Sequence, residues 1–290
     1  RREQLGGLVT EQPIRPDGDD APGEHAGHRH DAGHGAPAID AHAGHGDHAI
    51  DADAGHDDHS GHGHARSGGC RDIGHLVEGV RRFKARFYEE APALMRRLVE
   101  AGQEPATLMI SCSDSRVDPA ILSGAGPGEL FVVRNVANLV PPYAPDQGLH
   151  GTGAAIEYAV RDLGVDHIVV LGHAHCGGIK AMLATAGGDR PARDFIGPWV
   201  ENALAASRLH VTDESAPEGQ REVPLERLKQ VPFLAERAAI LGSLDNLMTY
   251  PWVRERVEAG SLALHGWWFD LDTGDLWATD APGEPLLPIT

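Results

Sequence analysis

The stretch Thr107-Leu-Met-Ile-Ser-Cys-Ser-Asp-Ser-Arg-Val-Asp-Pro119 decides the fold, because a short apolar run passes directly into polar and ionisable residues. The run that ends at Cys112 has the length and composition of a buried strand. A second such run opens the stretch His167-Ile-Val-Val-Leu-Gly-His-Ala-His-Cys-Gly-Gly178. Ligand sites in open α/β sheets lie beyond the carboxyl ends of the strands. We therefore expect Cys112, His173 and Cys176 to meet at one edge of a sheet.

Strands and helices alternate over the rest of the chain from Cys70 onward. A third apolar strand is predicted over 129–134, and the pattern at 262–270 and 275–279 predicts an antiparallel hairpin around Leu-Asp-Thr-Gly. Alternating strands and helices indicate βαβ units. The predicted fold class is α/β, with a mostly parallel central sheet flanked by helices and an antiparallel C-terminal edge hairpin. Helical spacing predicts helices over 73–86, 88–101, 151–163 and 178–186.

The N-terminal part has a different composition, and eleven of the 18 histidines lie between residues 25 and 64. These residues form short Gly, Ala, Asp and His repeats, which cannot bury enough apolar surface to offset the entropy of ordering. We predict a disordered tail over 1–68, a hinge at Ser67-Gly-Gly69 and a catalytic domain over 69–290. Histidines two to four apart can hold zinc, nickel or copper. A zinc buffer and a solvated tail without function are both open.

Charge and cysteine content exclude several classes of protein. The net charge of -18 argues against nucleic acid or an anionic membrane as a partner. Three cysteines do not form a disulfide framework, which favours a reducing, cytoplasmic location. No apolar run approaches the roughly 20 residues that span a bilayer, and the polar start does not resemble a signal peptide. The chain does not begin with Met, so a processed form or a piece of a longer protein is possible.

The predicted cluster has the ligands that zinc prefers, and catalytic zinc keeps three protein ligands and an open position. Such a site can lower the pKa of bound water from about 15.7 toward about 7 and so form a zinc-bound hydroxide. Asp114 and Arg116 follow Cys112 at alternate positions. A carboxylate that a guanidinium holds can accept a hydrogen bond from that water. Asp114 could instead be a fourth ligand of a closed or structural site, and a lone cysteine is ordinarily an apolar core residue.

Four stretches, at 110–117, 128–140, 153–160 and 169–179, resemble the β-carbonic anhydrases, most closely their plant-type branch. The resemblance covers roughly residues 70–280. It implies an enzyme that hydrates CO2 reversibly to bicarbonate and a proton, with one Zn2+ per chain. In this family the site lies at a dimer interface, so the resemblance also implies a homodimer or a larger assembly of dimers.

The resemblance implies a role for ten residues. Three would be zinc ligands and two the catalytic pair beside them: Cys112, His173 and Cys176, with Asp114 and Arg116. Five would bind the substrate, three of them from the neighbouring chain: Gln103, Phe131 and Tyr158, with Val136 and Gly177. A small apolar pocket suits CO2, and the Gln103 amide could stabilise negative charge on oxygen. Without the family, Phe131, Val136 and Tyr158 would equally well be packing residues, and Gln103 a solvated loop residue.

Other features depart from the family or leave alternatives open. Met109 stands where one subgroup has a tryptophan that helps to form an inhibitory bicarbonate site, so we expect no such inhibition. His175 is a bystander or a proton shuttle, and Cys70 is expected to be an inert thiol. Two competing functions remain: hydrolysis of a CO2 analogue such as CS2 or carbonyl sulfide, and a regulatory metal-binding module, such as the soluble end of a bicarbonate transporter.

Overall fold

The computed structural model describes residues 72–146, 148–189, 193–211 and 223–290. The predicted tail over 1–68, its hinge and Cys70 lie outside the described residues. The described part contains a six-stranded sheet in the order β2-β1-β3-β4-β5-β6. The strands are β1 Thr107–Cys112, β2 Leu130–Asn135, β3 His167–His173, β4 Ala263–Phe269, β5 Leu276–Thr279 and β6 Leu287–Pro288.

The sheet has a parallel core and an antiparallel edge, which confirms the predicted fold class. Strands β2, β1, β3 and β4 are parallel neighbours, while β5 pairs antiparallel with β4 and β6 with β5. Strands β1 and β3 are buried along nearly their whole length, which explains why both read as continuous apolar runs. In this register Cys112 lies opposite Asn135, and His173 lies opposite Phe269.

Helices flank the sheet, and several of them were not predicted from the sequence. The predicted break between the first two helices falls at residue 87, whereas a π-helical segment continues from Ala85 to Glu90. The next helix begins at Pro92, because proline lacks an N–H and fits the first position of a helix. Among the described residues no helix is both long and apolar enough to cross a membrane. The helices are α1 Gly74–Lys84, α2 Pro92–Glu100, α3 Pro119–Ser123, α4 Gly151–Glu157, α5 Gly177–Ala186, α6 Ile196–Arg208, α7 Leu225–Gln230, α8 Pro232–Leu247 and α9 Pro251–Glu258.

The main core lies between one face of the sheet and α4, α8 and α9. Helix α8 can approach β3 closely because Gly172 has no side chain, and a Cβ there would lie 2.8 Å from Ile240 Cδ1. The close approach brings the first turns of α8 next to the carboxyl ends of the strands. On the opposite face the described residues form a smaller buried cluster of Met109, Val169 and Leu171.

Candidate metal centre

Two cysteines and a histidine converge at the carboxyl edge of the sheet. Cys112 ends β1, His173 ends β3, and Cys176 immediately precedes α5. Their ligand atoms all lie within 4.8 Å of one another, and the two sulfurs are 3.9 Å apart. A tetrahedral ion with metal–sulfur bonds of about 2.3 Å would hold two sulfurs about 3.8 Å apart. The spacing therefore fits two thiolates on one metal ion and is far longer than the roughly 2.05 Å of a disulfide.

The His173 ring supplies an unpaired nitrogen to this cluster. The side chain is fully buried, and its Nδ1 lies 2.8 Å from the carbonyl oxygen of Ala174. Because a carbonyl oxygen only accepts hydrogen bonds, Nδ1 carries the ring proton and donates a hydrogen bond. Nε2 is therefore unprotonated and has a free lone pair. That buried Nε2 has no hydrogen-bond partner. Buried polar atoms are normally paired, so the orphaned nitrogen together with two sulfurs fits a bound metal ion.

The two sulfurs differ in how easily each loses its proton. The hydrogen bond from the Cys176 thiol lowers the pKa of Cys112 to about 4, against the opposing effect of burial. Donating that bond, together with burial, raises the pKa of Cys176. The N–H groups of Gly178 and Ile179, at the start of α5, bond to the Cys176 sulfur and oppose this rise. A helix N-terminus stabilises a thiolate, and a metal ion would replace the proton that the sulfurs share.

Asp114 and Arg116 form a two-pronged ion pair beside the cluster. Arg116 donates from Nε to Asp114 Oδ1 at 2.9 Å and from Nη2 to Oδ2 at 2.8 Å. The hydrogen bonds from Arg116 hold the pKa of Asp114 well below its usual range. Asp114 Oδ2 lies 3.9 Å from His173 Nε2. The Asp114 carboxylate therefore lies next to the three candidate ligands. It stays turned toward the guanidinium because Arg116 donates a hydrogen bond to each of its oxygens.

Arg134 on β2 holds the loop after Cys112 in place, and the sequence analysis did not identify it. Its guanidinium donates to the carbonyls of Cys112 at 3.0 Å and Asp114 at 2.7 Å, and to the Asp118 carboxylate at 2.8 Å. Ala137 follows β2 with a φ of 67°, a region that L-residues rarely adopt, and its N–H bonds to the Cys112 sulfur. The sequence did contain a signal for Arg134, because it is a basic residue near the end of an otherwise apolar strand.

Glu236 was also missed, although it contacts a residue of the cluster directly. Its Oε1 accepts a hydrogen bond from the backbone N–H of Cys176 at 3.2 Å. Burial raises the pKa of Glu236, while the hydrogen bonds it accepts act in the opposite direction. The sequence contains a signal, because Glu236 and Arg237 interrupt a long apolar run within one helix.

The predicted substrate residues fall into two groups in the single chain. Gly177 follows Cys176 directly, and a Cβ on Gly178 would lie 2.8 Å from Val136 Cγ1, so Val136 lies next to the start of α5. Phe131 and Tyr158 pack together with ring centroids 5.8 Å apart. Phe131 pairs with Leu108 in the sheet, well before the carboxyl edge. Gln103 is exposed in the loop before β1.

His175 lies within the cluster's loop but points elsewhere. It is exposed and has a positive φ of 58°. Its Nε2 lies 2.7 Å from Asp272 Oδ2, in the turn between β4 and β5. The contact gives His175 a partner outside the cluster.

The fold and the cluster together define a class, an α/β enzyme with a two-cysteine, one-histidine metal centre at the carboxyl edge of a parallel sheet. A sequence model of the carbonic anhydrase family matches residues 107–276. The chain belongs to this family and is a carbonic anhydrase, which confirms the family seen in the sequence, while its placement in the plant-type branch stays a prediction.

Individual relatives agree with this assignment. The carbonic anhydrase of Synechococcus elongatus is 37% identical over 203 residues, which cover 69% of each chain. That of Pseudomonas aeruginosa is 39% identical over 215 residues, 74% of this chain and 90% of the relative. The solved β-carbonic anhydrase CcaA aligns with a TM-score of 0.63 and 33% identity over 75% of this chain and 92% of its own. The chain is thus a β-class carbonic anhydrase, and members of this family are metalloenzymes.

Proposed function

We propose that this chain hydrates CO2 reversibly to bicarbonate and a proton, using one zinc ion held by Cys112, His173 and Cys176. The observation that carries the proposal is the orphaned Nε2 of His173, which is buried beside two sulfurs at a spacing suited to one tetrahedral ion. Zinc is favoured over harder cations because thiolate and imidazole are the ligands that it prefers. When bound, zinc lowers the pKa of a coordinated water to about 7 and so supplies a nucleophile at neutral pH.

Asp114 and Arg116 would orient the reacting water. With both oxygens held by Arg116, Asp114 stays charged and keeps a fixed direction. Its Oδ2 is close enough to the ligand cluster to accept a hydrogen bond from a water there. The same ion pair restrains Asp114 from turning in as a fourth ligand, which supports an open site over a closed one.

CO2 would bind in a small apolar pocket of the plant-type kind. Val136 and Gly177 lie beside the cluster in the same chain, whereas Phe131 and Tyr158 pack together away from it. This division supports the proposal that Phe131, Tyr158 and Gln103 serve the site of a neighbouring chain. The Gln103 amide would then stabilise negative charge that develops on oxygen.

We infer a homodimer, or a larger assembly of dimers, from the apolar surface of the first helices. Helices α1 and α2 and the π-helical segment between them contain no buried residue, although α1 and α2 are strongly amphipathic. Apolar side chains such as Leu76, Val80 and Val99 are exposed there, and β2 is an edge strand of the sheet. Two related β-carbonic anhydrases of Sordaria macrospora are tetrameric (28% identity, TM-score 0.56, covering 70% of this chain and 94% of that one).

Light scattering tests the assembly with a matched pair of variants. Val80→Asp places a charge on the exposed face of α1, where the side chain is 67% exposed, and should produce monomers that have lost most activity. Leu209→Asp alters an apolar side chain at the end of α6 that is 78% exposed, and it should leave the assembly intact. If both variants keep the wild-type mass, the dimer does not form through α1.

A stopped-flow assay of CO2 hydration with the zinc-loaded protein at pH 8 tests the main proposal. We expect hydration far above the buffer rate, and a rate equal to that of buffer would reject the proposal. Parallel assays with CS2 and carbonyl sulfide would reveal the alternative substrates. A regulatory metal-binding module would bind zinc and be unaffected by Asp114→Asn, whereas an enzyme should lose most of its turnover.

We further propose that the histidine-rich tail buffers zinc for the enzyme and that the protein acts in the cytoplasm. Eleven closely spaced histidines support the first idea, and the scarcity of cysteine supports the second. Zinc titration of the whole chain should show several sites beyond the catalytic one. A variant with all eleven tail histidines changed to serine should retain only one zinc site, the catalytic one. Equal stoichiometry, or tail binding no tighter than millimolar, would leave a tail without this role.

A further inference from the structure

Helix α8 contains a buried carboxylate that the catalytic mechanism does not use. Glu236 is only 4% exposed, and Ala235 and Ala239 on the same helix are buried as well. Carboxylates are almost never buried to this extent unless they are paired or hydrogen-bonded. Its two oxygens must therefore have specific partners, and those partners indicate its task.

Glu236 joins three elements of the fold through two hydrogen bonds. Oε1 accepts from the backbone N–H of Cys176, and Oε2 accepts from Nε1–H of Trp268, both at 3.2 Å. Trp268 lies on β4 directly opposite Gly172 of β3. The carboxylate therefore connects α8 and β4 to the residue that immediately precedes α5.

The next residue on α8 holds the indole in place. The Arg237 guanidinium lies 4.2 Å from the ring centroid of Trp268 and 3.9 Å from that of Trp277. A guanidinium against an aromatic face is attracted by the ring electrons and restrains the ring. With its face held by Arg237, Trp268 keeps its N–H directed at Glu236.

The backbone at Cys176 needs such an external support. Cys176 is extended, with φ −68° and ψ 116°, and two glycines follow it at the start of α5. Glycine permits many backbone conformations, and the N–H of a residue that precedes a helix has no partner within that helix. The direction of the Cys176 side chain depends on the peptide plane that carries this N–H.

We propose that Glu236 is a positioning residue, whose carboxylate fixes the peptide plane of Cys176 and thereby aims its sulfur at the metal ion. The inference rests on the proposed zinc site, and it adds a contact beyond the ligands themselves. Partners of metal ligands commonly change metal affinity by 10–100-fold when they are removed.

Zinc release to an excess of chelator tests the proposal on the whole protein. Glu236→Met keeps the size of the side chain and removes both acceptors, so zinc should leave about 10–100-fold faster. Glu236→Gln keeps one amide oxygen for the Cys176 N–H and should release zinc within about threefold of the wild-type rate. The matched control is Ser243→Ala on the same helix, which removes a buried acceptor of the Val140 N–H rather than of a ligand's N–H and should not change zinc release.

The visible spectrum of the cobalt-substituted protein gives a readout that a general loss of stability would not change. Glu236→Met should shift the d–d bands, because one sulfur is misdirected, while Ser243→Ala should keep the wild-type bands. The proposal is overturned if Glu236→Met matches Ser243→Ala in both zinc release and spectrum.

A second variant decides the question if Glu236→Met fails to fold. Glu236→Asp keeps the charge but is one methylene too short to reach both partners, so it should release zinc at least about fivefold faster than Glu236→Gln. Equal release from these two variants would contradict a positioning role. Absence of zinc from the wild-type protein would instead reject the metal site itself, so the two failures are distinguishable.

Discussion

Strand β3 begins with one histidine and ends with another, and the two differ in burial and in the groups around them. His167 is exposed, and its Nδ1 lies 3.1 Å from His265 Nε2, while His265 Nδ1 lies 2.8 Å from Asp280. His173 is fully buried, and its Nε2 has no partner. The comparison teaches that a histidine is suited to hold a metal ion when the fold buries it among other candidate ligands and leaves a lone pair unpaired.

The topology of the sheet explains the difference between the two ends. At the carboxyl end of β3, the loop that follows the strand returns Cys176, and the parallel neighbour β1 delivers Cys112. At the other end the strand pairs with Thr107 of β1 and Ala263 of β4, and its histidine meets His265 of β4, which in turn meets Asp280 after β5. Parallel strands therefore collect ligands at one edge only.

Replacing each histidine by alanine should give the largest contrast. We expect His173→Ala to lower kcat/KM for CO2 hydration by at least about 10³-fold, because loss of a ligand removes the ion that activates water. His167→Ala should keep activity within about twofold. With the tail histidines changed to serine in both variants, metal analysis should find zinc in His167→Ala alone, and a zinc-loaded, active His173→Ala protein would disprove the site.

An aspartate lies near each of the two histidines, and replacing these two aspartates should change kcat by factors that differ less than those of the histidine variants. Asp114→Asn should lower kcat by about 10²-fold with zinc retained, because the amide cannot orient the water as the charged carboxylate does. Asp280→Asn should leave kcat unchanged. Stopped-flow kinetics with parallel zinc analysis would check this, and a fully active Asp114→Asn enzyme would remove Asp114 from the mechanism.

Removal of the metal should destabilise the protein only where the buried cluster is intact. A ligand present at about 100 times its Kd stabilises a fold by about 2.7 kcal/mol. Chelator should therefore lower the Tm of wild type and of His167→Ala by several degrees and leave that of His173→Ala unchanged. Calorimetry with and without chelator measures the three shifts, and an equal shift in all three would show binding elsewhere.

The smallest effect should come from a substitution at the start of β3, where His167 meets His265. His265→Ala removes the central member of the chain from His167 to Asp280 and should lower the free energy of unfolding by about 1 kcal/mol. Its zinc content and activity should equal those of wild type. Urea denaturation checks the first value, and a loss of zinc would mean that the two ends of β3 are coupled.

Much of the fold could be predicted because its signals are local. Apolar runs marked β1, β2 and β3, and the turn residues after residue 270 marked the antiparallel hairpin. Helices α6 to α9 were not predicted, and the start of α2 was placed too early because the proline at 92 was not used. The ligand types were visible as well, since each follows an apolar run.

Other features of the site could not be predicted, because they join residues that are distant in sequence. Nothing adjacent to Glu236 indicates that it contacts Cys176, and nothing adjacent to Arg134 indicates that it holds three groups of another loop. The division of the pocket residues between the cluster and the Phe131–Tyr158 pair likewise became visible only in three dimensions.

The sequence by itself determined the parallel sheet, the family and the three candidate ligands, because apolar periodicity and motif spacing are properties of short segments. Only the tertiary structure decided that the unpaired nitrogen of His173 is buried while His167 is exposed and bonded to His265, that Arg116 holds both oxygens of Asp114, and that Glu236 accepts a hydrogen bond from Cys176. The physical reason is that burial and hydrogen-bond pairing depend on which distant segments meet.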